Sequence, residues 1–96
     1  MDERSFILVV YDISNDRRRT RLHERLLDYG TPVQYSVFEC LLTREEYQAM
    51  RKAVRRVIRP RLDQVRFYPI CKNCLRKAIV TSGKEVLTES PQPVIV

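Results

Sequence analysis

The order of apolar and polar positions along the chain predicts alternating strands and helices. Residues 6–11 form a continuous apolar run, which is typical of a strand buried on both faces at the centre of a sheet. Asp12 ends this run, and turn and capping residues follow at 13–16. Residues 17–29 then carry an apolar stripe at helical spacing, formed by Leu22, Leu26 and Tyr29. This pattern predicts a central strand followed by a helix.

Residues 33–42 are expected to be extended, but their alternation changes phase. Apolar side chains occupy one set of alternate positions up to Val37 and the opposite set from Phe38 onward. A phase change of this kind indicates a bulge, a sharp bend or a strand that changes its partner. Ten residues are few for two full strands and a turn, so either one strand is very short or the pattern is modified.

The second half of the chain predicts a helix and a strand. Thr43 and Glu46 have the spacing of a capping box, and the helix that they start runs to about Arg59, before Pro60. Its inward positions are Tyr47, Met50, Val54 and Val57. Residues 65–70 form a further strand, in which Pro69 indicates an edge or a strand end.

The last part of the chain is expected to add a strand to the fold. Residues 77–81 are predicted as a short strand and residues 82–84 as a turn. The chain ends on the apolar, β-branched residues Val94, Ile95 and Val96, whereas free termini are usually polar. We therefore expect residues 77–96 to dock on another surface, such as a second copy of the chain.

This element order predicts an α+β fold with the helices on one face of a mostly antiparallel sheet. The ferredoxin-like βαββαβ sandwich is the nearest common solution. A length of 96 residues leaves no room for a second core, so we expect one domain over residues 1–96 with its core at about 5–70.

Charge suggests a polyanionic partner. Lys and Arg exceed Asp and Glu by 18 to 12, giving a net charge of +6, and most of the bases are arginine. The planar guanidinium matches phosphate oxygens and stacks on bases, so a nucleic acid is one interpretation and an ordinary solvated basic surface is the other.

Other features favour a cytoplasmic protein. No apolar run approaches the ~18 residues of a membrane helix, and the start of the chain lacks the pattern of a secretory signal. Three cysteines cannot all pair within one chain, which favours reduced thiols.

Cys71 and Cys74 form a CxxC, but zinc needs two more ligands and His23 is distant in sequence. We expect a local turn there, with zinc shared across a dimer as the remoter alternative.

Asp12 is the candidate for chemistry. Its carboxylate ends the predicted central strand just before a helix start, where Arg17, Arg18 and Arg19 would oppose the helix dipole unless an anion offset them. Such a carboxylate could hold a divalent cation beside a phosphodiester. The plainer alternative is that Asp12 pairs with Arg18 or accepts hydrogen bonds from the following turn. One carboxylate is a poor Mg²⁺ site, but two copies of the chain would supply two.

Several segments together resemble the CRISPR-associated protein two family. They are Val9-Val10-Tyr11-Asp12-Ile13, Asp16-Arg17-Arg18-Arg19, Leu26-x-x-Tyr29-Gly30 and Val33-Gln34-Tyr35-Ser36-Val37-Phe38-Glu39. The resemblance covers about residues 6–70 and is specific as a combination. It implies a ferredoxin-like homodimer in which the C-terminal strand pairs with the partner subunit. It also implies that the 33–38 region supplies a short second strand leading into the third.

The resemblance also implies a function. Family members are similar to Mg²⁺-dependent endonucleases of single-stranded RNA or double-stranded DNA, and they work with the CRISPR-associated integrase in spacer acquisition. Asp12 of each protomer would be the catalytic, metal-binding residue. Tyr11, Ser36 and Phe38 would lie near the dimer cleft. The expected nucleic-acid contacts, from the resemblance at 17–19 and from the basic helix faces, are Arg17, Arg18, Arg19, Arg21, Arg55 and Arg56.

Two other functions stay open, the first from the resemblance and the second from the predicted fold. One is a non-catalytic dimeric adaptor that binds DNA and bridges integrase dimers. The other is an RNA-binding module of the RNP type, which shares the fold. That module needs exposed aromatic side chains in an RNP1 pattern, and the sequence contains no such pattern.

Overall fold

The computed structural model describes residues 3–82. In that range the elements, in chain order, are β1 (Ser5–Asp12), α1 (Asp16–Leu26), β2 (Gly30–Gln34), β3 (Val37–Leu42), α2 (Arg44–Val57), β4 (Gln64–Ile70) and α3 (Lys72–Arg76). The first six elements give the order βαββαβ. No helix within residues 3–82 is long and apolar enough to cross a membrane.

The four strands form one antiparallel sheet in the order β2-β3-β1-β4. The apolar β1 strand is central, with Val9 opposite Phe38 of β3 on one side and Phe67 of β4 on the other. This is the ferredoxin-like arrangement, and the predicted fold class is confirmed. The predicted single domain over 1–96 extends past the described residues and stays a prediction.

The core lies between the sheet and the two long helices. Alternate residues of β1 and β3 face the helices, and the helices contribute most of their predicted stripes. α1 ends at Leu26, three residues before the predicted end, and Tyr29 is only partly buried. The buried side chains of this core are Ile7, Val9, Tyr11, Ile13, Leu22, Leu26, Phe38, Cys40, Leu42, Met50, Val54 and Val57. Tyr47, predicted to point inward, is partly buried against them.

The phase change predicted within 33–42 is a tight hairpin. β2 begins at Gly30 and pairs with β3 across a turn at Tyr35 and Ser36, with Gln34 opposite Val37. Gly30 is required here because a Cβ at this position would lie 2.4 Å from Cys40 Sγ and 2.5 Å from Glu39 O. The strands approach so closely that no larger residue fits.

The capping box at the start of α2 is present as predicted. The backbone N–H of Glu46 donates to Thr43 Oγ1 at 3.2 Å, and the N–H of Thr43 donates to Glu46 Oε1 at 2.8 Å. The helix ends at Val57, two residues before the predicted end, because Ile58 is already extended. Pro60 contributes by restricting the residue that precedes it.

The face of the sheet opposite α1 and α2 carries no long helix, and we call it the helix-free face. Side chains of β1 that alternate with the core positions point to this face, namely Phe6, Leu8 and Val10. The short helix α3 and residues 78–80 lie over one part of it, and Leu75 lines the same cavity as Phe6 and Leu8. The prediction of a strand at 77–81 is wrong, since these residues form no strand. The predicted 82–84 turn and the C-terminal strand extend outside the described residues.

Candidate functional site

The candidate site lies where β1 ends and α1 begins. Asp12 is exposed and is the last residue of β1, opposite Gln64 at the start of β4. It makes no ion pair or side-chain hydrogen bond with any residue that the structure describes. By strand alternation its carboxylate belongs to the helix-free face of the sheet, the side of Leu8 and Val10. The carboxylate is therefore open to a ligand.

Arg18 does not pair with Asp12. Its guanidinium donates from Nε to Asp63 Oδ2 at 2.7 Å and from Nη2 to Asp63 Oδ1 at 3.1 Å. The Asp63 side chain is fully buried, and it also accepts the backbone N–H of Arg59 at 2.8 Å. The hydrogen bond from Arg18 is the main reason that the pKa of Asp63 lies below its usual value. The alternative in which Asp12 pairs with Arg18 is wrong.

The side chain of Arg19 also binds groups of its own chain. Its Nη1 donates to the carbonyl oxygens of Ile13 at 2.9 Å and Ser14 at 3.4 Å, and its Nη2 pairs with Asp16. Asn15 caps α1 by accepting the N–H of Arg18 at 3.0 Å. Arg19, predicted to contact nucleic acid, thus fixes the loop that follows Asp12, whereas Arg18, predicted to do the same, joins α1 to Asp63.

The other predicted nucleic-acid contacts are exposed and unpaired within residues 3–82. They are Arg17, Arg21, Arg55 and Arg56. Arg21 and Arg56 line a groove of about 600 Å³ between α1 and α2, together with Arg25, Lys52 and one carboxylate, Asp28. An excess of unpaired cations in one groove suits a phosphate backbone. Nucleic-acid binding by these residues stays a prediction.

Two of the three residues expected near a dimer cleft are buried in their own subunit. Phe38 is completely buried, with its ring 5.2 Å from His23 and 6.4 Å from Tyr11. The Tyr11 hydroxyl donates to Tyr35 O at 2.9 Å, and burial raises the pKa of Tyr11 despite the nearby charge of Arg19. Both side chains belong to the core of their own subunit, whereas Ser36 is partly exposed, and the expected position of all three near a dimer cleft stays a prediction.

The residues of one chain offer little for a metal ion. No group of three His, Cys, Asp or Glu side chains comes together within residues 3–82. Mg²⁺ in proteins keeps several waters and needs only one or two carboxylates. A single Asp12 is a weak donor set, and two copies of Asp12 would be an adequate one. The residues present fit Mg²⁺ only as a site shared between two chains.

Sequence reasoning found Asp12 but missed Asp63. Asp63 stands in a turn between a proline and a strand, where aspartate is common for local reasons. No local pattern distinguishes it from other turn aspartates. Its partner Arg18 lies 45 positions earlier in the chain.

Together these features define a small ferredoxin-like domain with an open carboxylate at the end of its central strand and a basic helix layer. The family model described as CRISPR associated protein Cas2 matches residues 5–78 of the chain. The chain belongs to this family.

Similar proteins agree with this assignment. A Synechocystis protein named CRISPR-associated endoribonuclease Cas2 3 is 38% identical over 89 residues, covering 93% of this chain and 96% of that protein. A Thermus thermophilus protein named CRISPR-associated endonuclease Cas2 2 is 42% identical over 62 residues, covering 65% and 69%. The crystal structure of Streptococcus pyogenes Cas2 has a TM-score of 0.70 at 31% identity, covering 78% of this chain and 96% of that chain.

Proposed function

We propose that this chain is a Mg²⁺-dependent phosphodiester endonuclease that acts as a homodimer. Its substrate is single-stranded RNA or double-stranded DNA, and it works with the CRISPR-associated integrase in spacer acquisition. Family membership supports this proposal, as do relatives that are named endoribonuclease and endonuclease.

The observation that carries the proposal is the state of Asp12. Its exposed carboxylate has no partner among residues 3–82, although three arginines lie within the next seven residues. Two of them, Arg18 and Arg19, bind other groups. A carboxylate kept free at the end of a rigid central strand is suited to bind a cation or to contact a substrate.

A homodimer would complete the site. The helix-free face presents apolar side chains of β1 on the same side as Asp12, and a second copy packed on this face would bury them. The two Asp12 carboxylates would then hold Mg²⁺, which when bound activates water and stabilises the negative charge that develops on the phosphate. Each chain supplies half of the donor set.

The remaining residues of the site bind and position the substrate. Arg17, exposed and unpaired within residues 3–82 in the first turn of α1, provides positive charge for a phosphate near the scissile bond, and Arg21 provides charge further along the helix layer. Arg19 holds the carbonyls of Ile13 and Ser14, and Arg18 holds α1 against the turn that precedes β4. These contacts keep the Asp12 carboxylate in place relative to the bound strand.

The test is cleavage of RNA and of plasmid DNA with Mg²⁺ by wild type and by Asp12→Asn. We expect Asp12→Asn to lower the cleavage rate by about 100-fold or more while leaving binding intact. Asp16→Asn is the matched control, because Asp16 is an exposed aspartate nearby that already pairs with Arg19. Unchanged cleavage in Asp12→Asn, or wild-type cleavage in excess chelator, would refute the catalytic proposal.

A non-catalytic adaptor is the second candidate, and the interhelical groove favours it. Arg21, Arg56 and Lys52 present charge on the helix layer, whereas Asp12 belongs to the helix-free face of the sheet. An adaptor would bind duplex DNA there without chemistry. In that case Asp12→Asn would preserve spacer acquisition, whereas Arg55→Glu with Arg56→Glu would stop it.

A further inference from the structure

The two cysteines of the CxxC lie on one turn at the start of α3. Cys71 is the residue that caps the helix, and its Sγ accepts the backbone N–H of Cys74 at 3.5 Å. Both residues are exposed. The start of the helix therefore holds two accessible thiols three residues apart, and the Cys71 sulfur already lies against the backbone of Cys74.

The third cysteine has the opposite environment. Cys40 is completely buried, with its Sγ 3.8 Å from Met50 Sδ. Burial raises the pKa of its thiol to about 11, which suppresses the reactive thiolate. Cys40 thus serves as an unreactive reference within the same chain.

We propose that Cys71 and Cys74 are a site of reversible oxidation to an intramolecular disulfide. A metal is less well supported, because no further His, Cys, Asp or Glu within residues 3–82 joins the pair to form a group of three. The inference does not depend on the proposed nuclease function.

The oxidant is a small-molecule disulfide such as oxidised glutathione. Cys71, as the thiolate, attacks one sulfur of the oxidant, which releases one glutathione thiolate and leaves a mixed disulfide on Cys71. Cys74 then gives up its proton and attacks the Cys71 sulfur, which releases the second glutathione. In total, two protein thiols lose two hydrogens and one disulfide is reduced to two thiols. The hydrogen bond from the Cys74 N–H lowers the pKa of Cys71, which favours it as the first nucleophile.

The position of the pair gives the disulfide a structural effect. Both cysteines border a cavity of about 670 Å³ over the helix-free face, whose walls include Phe6 and Leu8 below and residues 78–80 above. A five-residue helix such as α3 is marginal without tertiary support. A disulfide across its first turn would hold it formed, and with it the segment that covers this part of the sheet.

The experiment equilibrates the full chain with mixtures of reduced and oxidised glutathione, then quenches it with an alkylating agent and measures intact and peptide masses. We expect wild type to lose the mass of two hydrogens, with Cys71 and Cys74 protected from alkylation. Cys40 should react only after denaturation. Amide hydrogen exchange over residues 72–78 should slow on oxidation and recover after reduction.

The matched controls separate closure from simple adduct formation. Cys71→Ser keeps a good helix cap, so it should fold normally and form no internal disulfide. Cys74→Ser should stop at the mixed disulfide on Cys71, and Cys40→Ala should still close the pair. A stable glutathione adduct on wild-type Cys71, unpaired thiols in oxidised glutathione alone, or zinc bound at one ion per two chains with the thiols unreactive would each overturn the proposal.

Discussion

Asp12 and Asp63 lie at the same end of the sheet, at the close of β1 and just before the start of β4, and their surroundings are opposite. Asp63 is buried and accepts two bonds from the Arg18 side chain and one from the backbone of Arg59. Asp12 is exposed and has no such partner within residues 3–82. A buried carboxylate must be paired to be stable, and the fully buried side chain of Asp63 is not accessible to a ligand. Of these two aspartates, only Asp12 is accessible for chemistry.

The same contrast divides the arginines. Arg18 and Arg19 bind groups of the protein, whereas Arg17 and Arg21 are exposed and unpaired in the described part of the chain. All four belong to one basic segment of sequence. We therefore expect substitutions of Arg18 and Arg19 to lower the stability of the fold, and substitutions of Arg17 and Arg21 to weaken nucleic-acid binding.

The largest effect is expected at Asp63. Asp63→Ala leaves the guanidinium of Arg18 largely buried without its carboxylate, and we expect a loss of about 2–3 kcal/mol in the free energy of unfolding. Asp12→Ala should change it by less than about 0.5 kcal/mol, because Asp12 is exposed and unpaired. Urea unfolding measures both. Equal losses for the two variants would show that the comparison is wrong.

Acid sensitivity should follow Asp63. Because its folded pKa lies below the unfolded value of ~3.9, its contribution to stability is present above that pH and is lost as the pH falls through the folded pKa. We expect wild type to lose stability below about pH 4, and Asp63→Asn to lose much less over the same range. The pKa of Glu46 is also lowered, mainly by the hydrogen bond from the Thr43 N–H. Glu46 should therefore cause a smaller loss of stability at low pH that persists in Asp63→Asn. Thermal unfolding at several pH values measures the difference, and parallel curves for the two proteins would contradict it.

Substitutions of the paired and the unpaired arginines should differ in how nucleic-acid affinity depends on salt concentration. Arg17→Ala and Arg21→Ala should each weaken nucleic-acid binding and reduce the slope of log affinity against log salt by roughly 0.7–0.9. Arg18→Ala should lower the melting temperature and leave the slope nearly unchanged. Fluorescence anisotropy at several salt concentrations distinguishes them. An equal loss of slope for Arg18→Ala would mean that its side chain leaves Asp63 to bind the nucleic acid.

Asp16 is also expected to have only a small effect on the free energy of unfolding. It pairs with Arg19 on the surface, in the first turn of α1. Asp16→Asn should therefore cost only about 0.5 kcal/mol, the sum of a weak exposed ion pair and a weak dipole interaction. A loss as large as that of Asp63→Ala would show that the loop after Asp12 and the buried pair unfold as one unit.

The order of the first six elements and most residues of the core follow from the sequence alone, whereas α3 lies where only a local turn was expected. The central β1 strand, the capping box at Thr43 and the inward face of α2 depend on periodicity and on contacts between residues a few positions apart. The position of Asp12 at the end of the central strand follows in the same way, because a carboxylate that ends an apolar run is visible in the sequence, whereas its catalytic role stays a prediction. The strand predicted at 77–81 failed because a short segment without strong periodicity fits strand, helix or turn equally well.

Only the tertiary structure decided which polar side chains pair within the protein and which remain accessible to a ligand. Arg17, Arg18 and Arg19 are identical in type and adjacent in sequence, yet the fold places only Arg18 against the buried Asp63, 45 positions away. The change of phase in the apolar alternation at 33–42 likewise corresponds to a hairpin at Tyr35 that joins two paired strands. The side chain of Phe38, just after this turn, lies in the core. Such outcomes depend on burial and on partners distant in the chain, because the strength of an ion pair or a hydrogen bond is set by the surroundings that only the folded chain creates.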